Sequence, residues 1–461
     1  MAHLLALSMP LLAAATPADL VAARSQMALT LGFHIVLACL GVALPAIMLI
    51  AEARGLRRGD QDALLLARRW SSVVAVTFAV GAVSGTVLSF ELGILWPGLM
   101  GQYGAAFGIP FAVEGIFFFV EAIFVAIYIY GWDRLSPLAH FLSGIPIAIA
   151  GLGGTVSVVA ANAWMNQPAG FTMGADGRIS EVRPLEVIFN GATWYEVPHM
   201  LLAAYMVTGF LLASVYAIGM LRGRRDAYTR LGFTIPFVVA AIAAPIQIAV
   251  GDVAAREIVK HQPAKFAAME LVTETGPQRP IVLGGILVDG EVRYGLEIPG
   301  LVSFLAGFDV NTVVIGLDQV PLDEQPPANV VHLAWDAMLA CGFALLGLAA
   351  WFGLLRLRRR DPTESTWFLR GASIAGLLAI VAMEAGWIVT EVRRQPWIVW
   401  GRLRTADAVT AAGGIGISLA AVAILYLALG IATIVVLRAL SRRWNDETIS
   451  AGDLPYGPTG K

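Results

Sequence analysis

Nine apolar runs, each near the ~20 residues a helix needs to cross a bilayer core, decide what this chain can become. They span residues 25–53, 70–97, 107–131, 139–166, 197–221, 231–251, 330–355, 371–391 and 413–438. Backbone N–H and C=O groups cannot stay unpaired in lipid, so each run is read as a helix. Composition agrees, because 58% of the 461 residues are hydrophobic and 14% charged, against about 25% charged in soluble domains. Only Lys260, Lys265 and Lys461 are lysines. No basic field exists for nucleic acid, and the arginines fall in short clusters between apolar runs.

Those clusters set an orientation. Arg54, Arg57, Arg58, Arg68 and Arg69 fill the first connection, Arg222, Arg224, Arg225 and Arg230 the fifth, and Arg356, Arg358, Arg359, Arg360 and Arg370 the seventh. Arg438, Arg442 and Arg443 follow the last run. The expectation is an all-α polytopic membrane protein of nine transmembrane helices, N-terminus outside and C-terminus in the cytoplasm. The second connection, 98–106, is uncharged, and the fourth is net acidic (Asp176, Glu181, Glu186 and Glu196 against Arg178 and Arg183). The eighth breaks the trend with Arg393, Arg394, Arg402 and Arg404. A long polar outer loop, 252–329, separates helices 6 and 7. Within it Ile281–Val288 and Val292–Ile298 flank Asp289-Gly290, which reads as a hairpin. The division is therefore 1–251 (helices 1–6), 252–329 (outer loop), 330–440 (helices 7–9) and 441–461 (cytoplasmic tail). The first fifteen residues are apolar and small but lack a basic n-region, and are read as an interfacial lead-in. Cys39 and Cys341 lie in apolar stretches with no metal spacing and read as small hydrophobes.

Ionisable groups inside a membrane are functional hypotheses by default. They are Glu91, Glu114, Glu121, Asp336, Glu384 and Glu391, with His34, His199 and His332. Counted from the outer ends of the runs, His34, Glu114, His199, Met338 and Glu391 share one layer in the outer half. Alone, each has a bland reading: a histidine hydrogen-bonded across helices, a packing methionine, a glutamate snorkelling to the interface. Together they offer an imidazole–thioether pair, the axial set of a low-spin haem, and two further ligands that leave a sixth position open.

At these residues the sequence resembles subunit I of cytochrome bd-type quinol oxidases. Arg24-Ser-Gln-Met-Ala-Leu-Thr30 leading to His34 is similar to that family's opening motif, whose histidine ligates a high-spin haem. Glu114-Gly115 through Glu121, Gly131-Trp132-Asp133-Arg134-Leu135 and Asn162-Ala-Trp164-Met165-Asn-Gln-Pro168 follow in the family's order. His199 and Met338 fall where low-spin haem b has its ligands. Glu384-Ala-Gly-Trp387, Glu391 and Arg394-Gln-Pro-Trp397 resemble the family's signature, in which the carboxylate ligates a high-spin haem. Lys265-Phe-Ala-Ala-Met-Glu270 resembles the quinol-binding segment. The resemblance departs in two places. Asp336 stands where many members carry arginine, and Glu114 and Glu121 are one residue closer than in the best-known members. The outer loop is short, as in the short-loop and cyanide-insensitive branches.

The resemblance implies an enzyme of a bacterial inner membrane that oxidises ubiquinol or menaquinol at the outer face and reduces oxygen to water. Its cofactors would be low-spin haem b, high-spin haem b, and haem d or a third haem b. Trp387 and Arg394 would border them, Arg393 and Arg394 answering the propionates. Glu114 and Glu121 would relay cytoplasmic protons, building a potential without pumping. A second multi-helix subunit is implied, and in some members a small single-helix one. Two rival classes predict otherwise. A haem-free ion-coupled transporter using Glu114, Glu121 and Glu384 predicts inverted repeats. A haem b protein that meets quinone but not oxygen leaves His34 and Glu391 without a use.

Overall fold

The computed structural model describes residues 16–175, 177–446 and 456. The reading of the first fifteen residues and the charge of Asp176 lie outside the described residues, as does most of the tail. Among the described residues nine helices are long and apolar enough to cross a membrane. We number them α1 (Pro17–Arg58), α2 (Gln61–Leu95), α3 (Pro97–Gly131), α4 (Pro137–Asn166), α5 (Thr193–Leu221), α6 (Ala227–His261), α7 (Ala328–Leu357), α8 (Thr366–Val392) and α9 (Ile415–Asp446). All nine expected spans are present, and each helix outruns its apolar core.

Local chemistry explains the longer starts. Thr16 and Asp19 form a capping box, with Pro17 in the first turn, so α1 begins eight residues before the apolar run. Ser136 caps α4 ahead of Pro137 in the same way. The largest departure is at the second connection. Residues 98–106 are helical, and Trp96 alone joins α2 to α3. An uncharged, Gly-containing stretch scores as a loop on hydropathy, yet Pro97 at the first position starts a helix at once. In consequence His34 and Glu114 each stand seventeen residues past their helix starts. They are set deeper than His199 and Glu391, which lie near helix ends, and Glu114 stands at the midpoint of α3, so the five candidates do not share one thin layer.

The 252–329 segment is mostly ordered structure. α6 continues to His261, and a short helix, Pro263–Glu270, follows at once. The strands β3 (Ile281–Val288) and β4 (Glu291–Ile298) pair antiparallel, as the Asp289-Gly290 signal predicts; Asp289 and Gly290 both take positive φ, the two-residue turn that matches strand twist. A smaller hairpin, β1 (Phe171–Met173) and β2 (Ile179–Val182), fills the α4–α5 connection. A third, β5 (Trp397–Val399) and β6 (Leu403–Arg404), follows α8.

The main apolar core is built by α5, α6, α7 and α8 with Ile35 and Cys39 of α1. It closes at Ala204, Ala244, Leu345 and Met383. That is about one to two turns short of His199, Gly251, Met338 and Gly386, where large apolar side chains give way to ligand-bearing and glycine positions.

Candidate functional site

Three of the candidate ligands face a glycine on a neighbouring helix. A Cβ on Gly251 of α6 would lie 3.2 Å from His199 Cε1, one on Gly386 of α8 would lie 2.9 Å from Met338 Sδ, and one on Gly85 of α2 would lie 3.0 Å from His34 Cε1. Glycine there leaves each ligand beside a bare stretch of backbone, the cradle that a flat ring needs. Hydrogen bonding also fixes the tautomers. Ser84 Oγ spends its own proton on the Val80 and Gly81 carbonyls, 3.1 Å away, so it accepts from His34 Nδ1 at 2.9 Å and leaves Nε2 bare. The Gln247 amide donates to His199 Nε2 at 3.2 Å, and His199 Nδ1 is buried with no partner. A neutral imidazole with a lone pair on Nε2 is what iron takes.

Glu391, at the end of α8, is held from two sides. Arg394 Nη2 donates to its Oε2 at 2.5 Å, and Asn162 Nδ2 donates to its Oε1. Asn162 and Asn166 lie one turn apart on α4, and Asn166 Nδ2 donates to Asn162 Oδ1 and to Glu196 Oε1, each at 3.2 Å. Glu196 lies 3.7 Å from Arg393. Asn166 Oδ1 accepts from Lys265 Nζ at 2.8 Å, and its carbonyl accepts from Gln262 at 2.6 Å. Two asparagines thus wire the carboxylate of α8 to the lysine of the short helix Pro263–Glu270. Asn166, Glu196, Gln247 and Gln262 were not singled out from the sequence. The one-turn spacing of Asn162 and Asn166 is the signal that could have found part of the network.

Arg393 and Arg394 are 4% and 3% exposed, and Arg393 Nε with Arg394 Nε and Nη1 has no hydrogen-bond partner. So does the indole nitrogen of Trp387. Buried guanidinium N–H groups without acceptors are costly, and the donor set suits an anionic group such as a propionate. These orphans, the bare Nε2 of His34, the unpartnered Nδ1 of His199 and the glycine cradles fit haem. The Lys265 ammonium is pushed well below its ordinary range by burial, with Arg393 and Arg394 adding repulsion that Glu196 and Glu391 offset. It lies 4.3 Å from the Trp400 ring centre. Glu270 is pushed up to about 7, chiefly by burial and further by Asp336, against the hydrogen bond from Trp335 at 2.9 Å. Lys265 and Glu270 share one helix but point to different neighbours, and Glu270 Oε2 is unpartnered. Beside them a cleft of about 300 Å³ is lined by Asn166, Gln167, Gly191, Gln262 and Trp400, among others.

Asp336 finds a partner that the sequence did not indicate. Its Oδ2 accepts from the backbone N–H of Gly284 in β3 at 2.5 Å and lies 3.4 Å from His332 Nε2. His332 Nδ1 and Nε2 in turn face the Met269 and Gly284 carbonyls at 2.7 and 2.8 Å. The acid at this position fastens the β3–β4 hairpin to α7.

The remaining carboxylates lie apart. Glu384 reaches toward Gly32 of α1, where a Cβ would sit 3.4 Å from its Oε2. Glu91 is buried and accepts from Gln26 at 2.8 Å and Thr30 at 3.0 Å. Glu114 and Glu121 are half-buried on α3 and seven residues apart, two turns along one face. The structure does not hydrogen-bond them to the network above.

Nine helices long and apolar enough to span among the described residues, with imidazole and thioether side chains beside glycines and a part-buried carboxylate–arginine pair, define a multi-pass membrane protein whose residues fit haem. The chain belongs to the cytochrome bd terminal oxidase subunit I family, whose model matches residues 22–444. It is 34% identical to a putative cytochrome bd menaquinol oxidase subunit I of Bacillus subtilis (strain 168), over 91% of this chain and 96% of that one. It is 26% identical to the cytochrome bd-II ubiquinol oxidase subunit 1 of Escherichia coli (strain K12), over 91% and 95%. Among solved structures, a chain of the bd oxidase from Geobacillus thermodenitrificans superposes with a TM-score of 0.87 at 37% identity, covering 92% of this chain and 98% of that one. The protein is a subunit of a terminal quinol oxidase of the bacterial cytoplasmic membrane, and its family implies haem and a second subunit.

Proposed function

We propose that this chain oxidises a lipid quinol at the outer face beside Lys265 and Glu270 and supports reduction of oxygen to water within the bundle. The wiring of Glu391 and Arg394 to Lys265 through Asn162 and Asn166 is the observation that carries this reading. It couples the quinol end to the oxygen end by direct hydrogen bonds. His199 and Met338 would hold low-spin haem b; His34 and Glu391 would each hold a high-spin haem from one side, one of type b and the other d or b. Bound haem supplies the one-electron carriers and the oxygen-binding centre.

The chain's own groups do the acid–base work. Glu270, half ionised near neutrality, accepts a quinol proton. Lys265, short of solvation, gains its charge most readily beside the resulting anion. Arg393 and Arg394 neutralise propionates. The hydroxyl-free ladder of Glu114 and Glu121 carries protons up from the cytoplasmic side, and release outside with uptake inside separates charge without a pump. Membrane segments 1–251 and 330–440 form the frame, 252–329 the quinol domain and 441–461 a cytoplasmic tail; the N-terminus lies outside. A second multi-helix subunit completes the complex, joined in some members by a single-helix one.

His199→Ala should erase the reduced-minus-oxidised α-band of low-spin haem b in the purified complex. A variant that keeps the band removes the ligand assignment, and a wild-type complex without a Soret band would favour the transporter reading.

A further inference from the structure

The opposite end of the bundle holds a second set of ionisable side chains, which the reading above leaves unused. Glu52 near the end of α1 and His140 near the start of α4 are 0% exposed. His140 Nδ1 lies 2.7 Å from Glu52 Oε1. The Tyr128 hydroxyl of α3 donates to Glu52 Oε2 at 2.5 Å, and the Tyr128 carbonyl lies 2.9 Å from His140 Nε2. The fourth member comes from the far end of the chain: the Tyr456 hydroxyl lies 2.6 Å from Glu52 Oε1 and 2.8 Å from His140 Nδ1. Trp132, its ring tilted 37° to that of His140 with centroids 3.9 Å apart, packs beside the pair. Of the four polar members, only Tyr456 reaches the surface, being half-buried.

A carbonyl can only accept, so His140 Nε2 carries a hydrogen. The exchangeable proton of the pair then lies between Nδ1 and Glu52 Oε1. With that proton the pair is neutral whichever atom holds it, and without it a buried charge remains. Among the described residues no lysine or arginine is hydrogen-bonded to Glu52, whose partners are His140, Tyr128 and Tyr456. Glu52 lies six residues before Arg58, at the arginine-flanked end of α1. Tyr128 continues the stripe of Glu114 and Glu121 by a further seven residues, about 10 Å of rise per step.

We propose that the Glu52–His140 pair is the point at which cytoplasmic protons enter this chain, and that Tyr456 is the hydroxyl gate between the pair and water. This rests on the orientation and proton-uptake reading above. Each hydroxyl exchanges rather than stores. As water gives a proton to the Tyr456 oxygen, Tyr456 gives its own to Glu52. Tyr128 takes one from Glu52 Oε2 as it gives its own to water on the way to Glu121, and both hydroxyls then rotate back, uncharged.

A hydrophobic carbodiimide tests the gate without reference to haem, since it adds covalently to a protonated carboxyl in apolar surroundings. In the intact complex Glu52 should be modified slowly, and Tyr456→Ala should raise the rate about tenfold by opening the pair to the reagent. Mass spectrometry of the Glu52 peptide reads it. Glu52 unmodified in both forms would mean a closed structural contact and overturn the proposal. The turnover arm uses Tyr456→Phe, which keeps the ring and removes the hydroxyl. Among the described residues Tyr128 of α3, His140 of α4 and Tyr456 are the titratable groups facing Glu52, and Trp132 is uncharged. The deficit in quinol-driven oxygen consumption should grow with pH, because scarce protons make delivery limiting, reaching about threefold near about pH 8.5. A pH-independent ratio to wild type overturns the gate. A complex that consumes no oxygen in the unmodified form counts against the proposed function instead, and the carbodiimide arm still decides the inference.

Discussion

Glu270 shows how far a single residue can be moved by its surroundings. Buried on the short outer helix with one oxygen unpartnered, it is pushed up from the ordinary carboxylate range to about 7. Only its ionised form accepts a proton, so kcat/KM for quinol should rise with pH through a limb centred near about 7. Glu270→Gln should lower that constant and flatten the limb while haem spectra stay unchanged; a limb that survives assigns the base elsewhere. Lys265 is displaced in the opposite sense by the same burial. In the sequence the two read as a pair through their resemblance to a quinol-binding segment. The fold instead gives them separate partners, Asn166 and Trp335. Residue types that bear chemistry were legible in the sequence; their hydrogen-bond partners, 65 and 99 positions distant, were not.

At the level of elements, one face of α7 grips the 252–329 segment. Asn329 Oδ1 accepts from Leu287 N–H at 2.6 Å and its Nδ2 donates to the Leu287 carbonyl at 3.0 Å, while Asp336 holds Gly284 and His332 bridges Met269 and Gly284. The hairpin and the short helix are thereby set at a fixed height over Met338, on the same helix. Asp336→Ala would strand the Gly284 N–H at a cost of about 1–3 kcal/mol and loosen the hairpin. The KM for quinol should rise with the low-spin α-band retained, and Asp336→Asn, which still accepts, should restore it. If both variants lose haem equally, the acid serves the ligand helix rather than the hairpin. The hairpin itself was legible, because Asp-Gly between alternating apolar residues is local chemistry. The α2–α3 join was not, since hydropathy measures how apolar a stretch is and not whether it is helical. The clamp was not either, as it depends on a strand and a helix meeting across some fifty residues.

For the whole molecule, the arginine clusters and the outer loop define the two faces. A cysteine placed at Asp289, in the β3–β4 turn, should react with an impermeant maleimide added outside intact cells. One placed at Arg359, between α7 and α8, should react only after lysis; the reverse pattern would invert the proposed orientation and with it the direction of proton traffic. The outer helices leave wide apolar faces: in its most apolar window α9 is 6% buried and α3 11%, surface that lipid or the second subunit covers. The join between α2 and α3 bears on how such a bundle is assembled. Trp96 is its only residue, Gly98 backs onto Ala408 so closely that a Cβ would lie 2.7 Å from its Cα, and Thr410 N–H donates to the Leu95 carbonyl at 2.9 Å. Two helices with no slack between them cannot wait for each other on opposite sides of the bilayer. They must enter as one lever, and any later tilt of the carboxylate-bearing arm is felt at once by the arm that lies against His34.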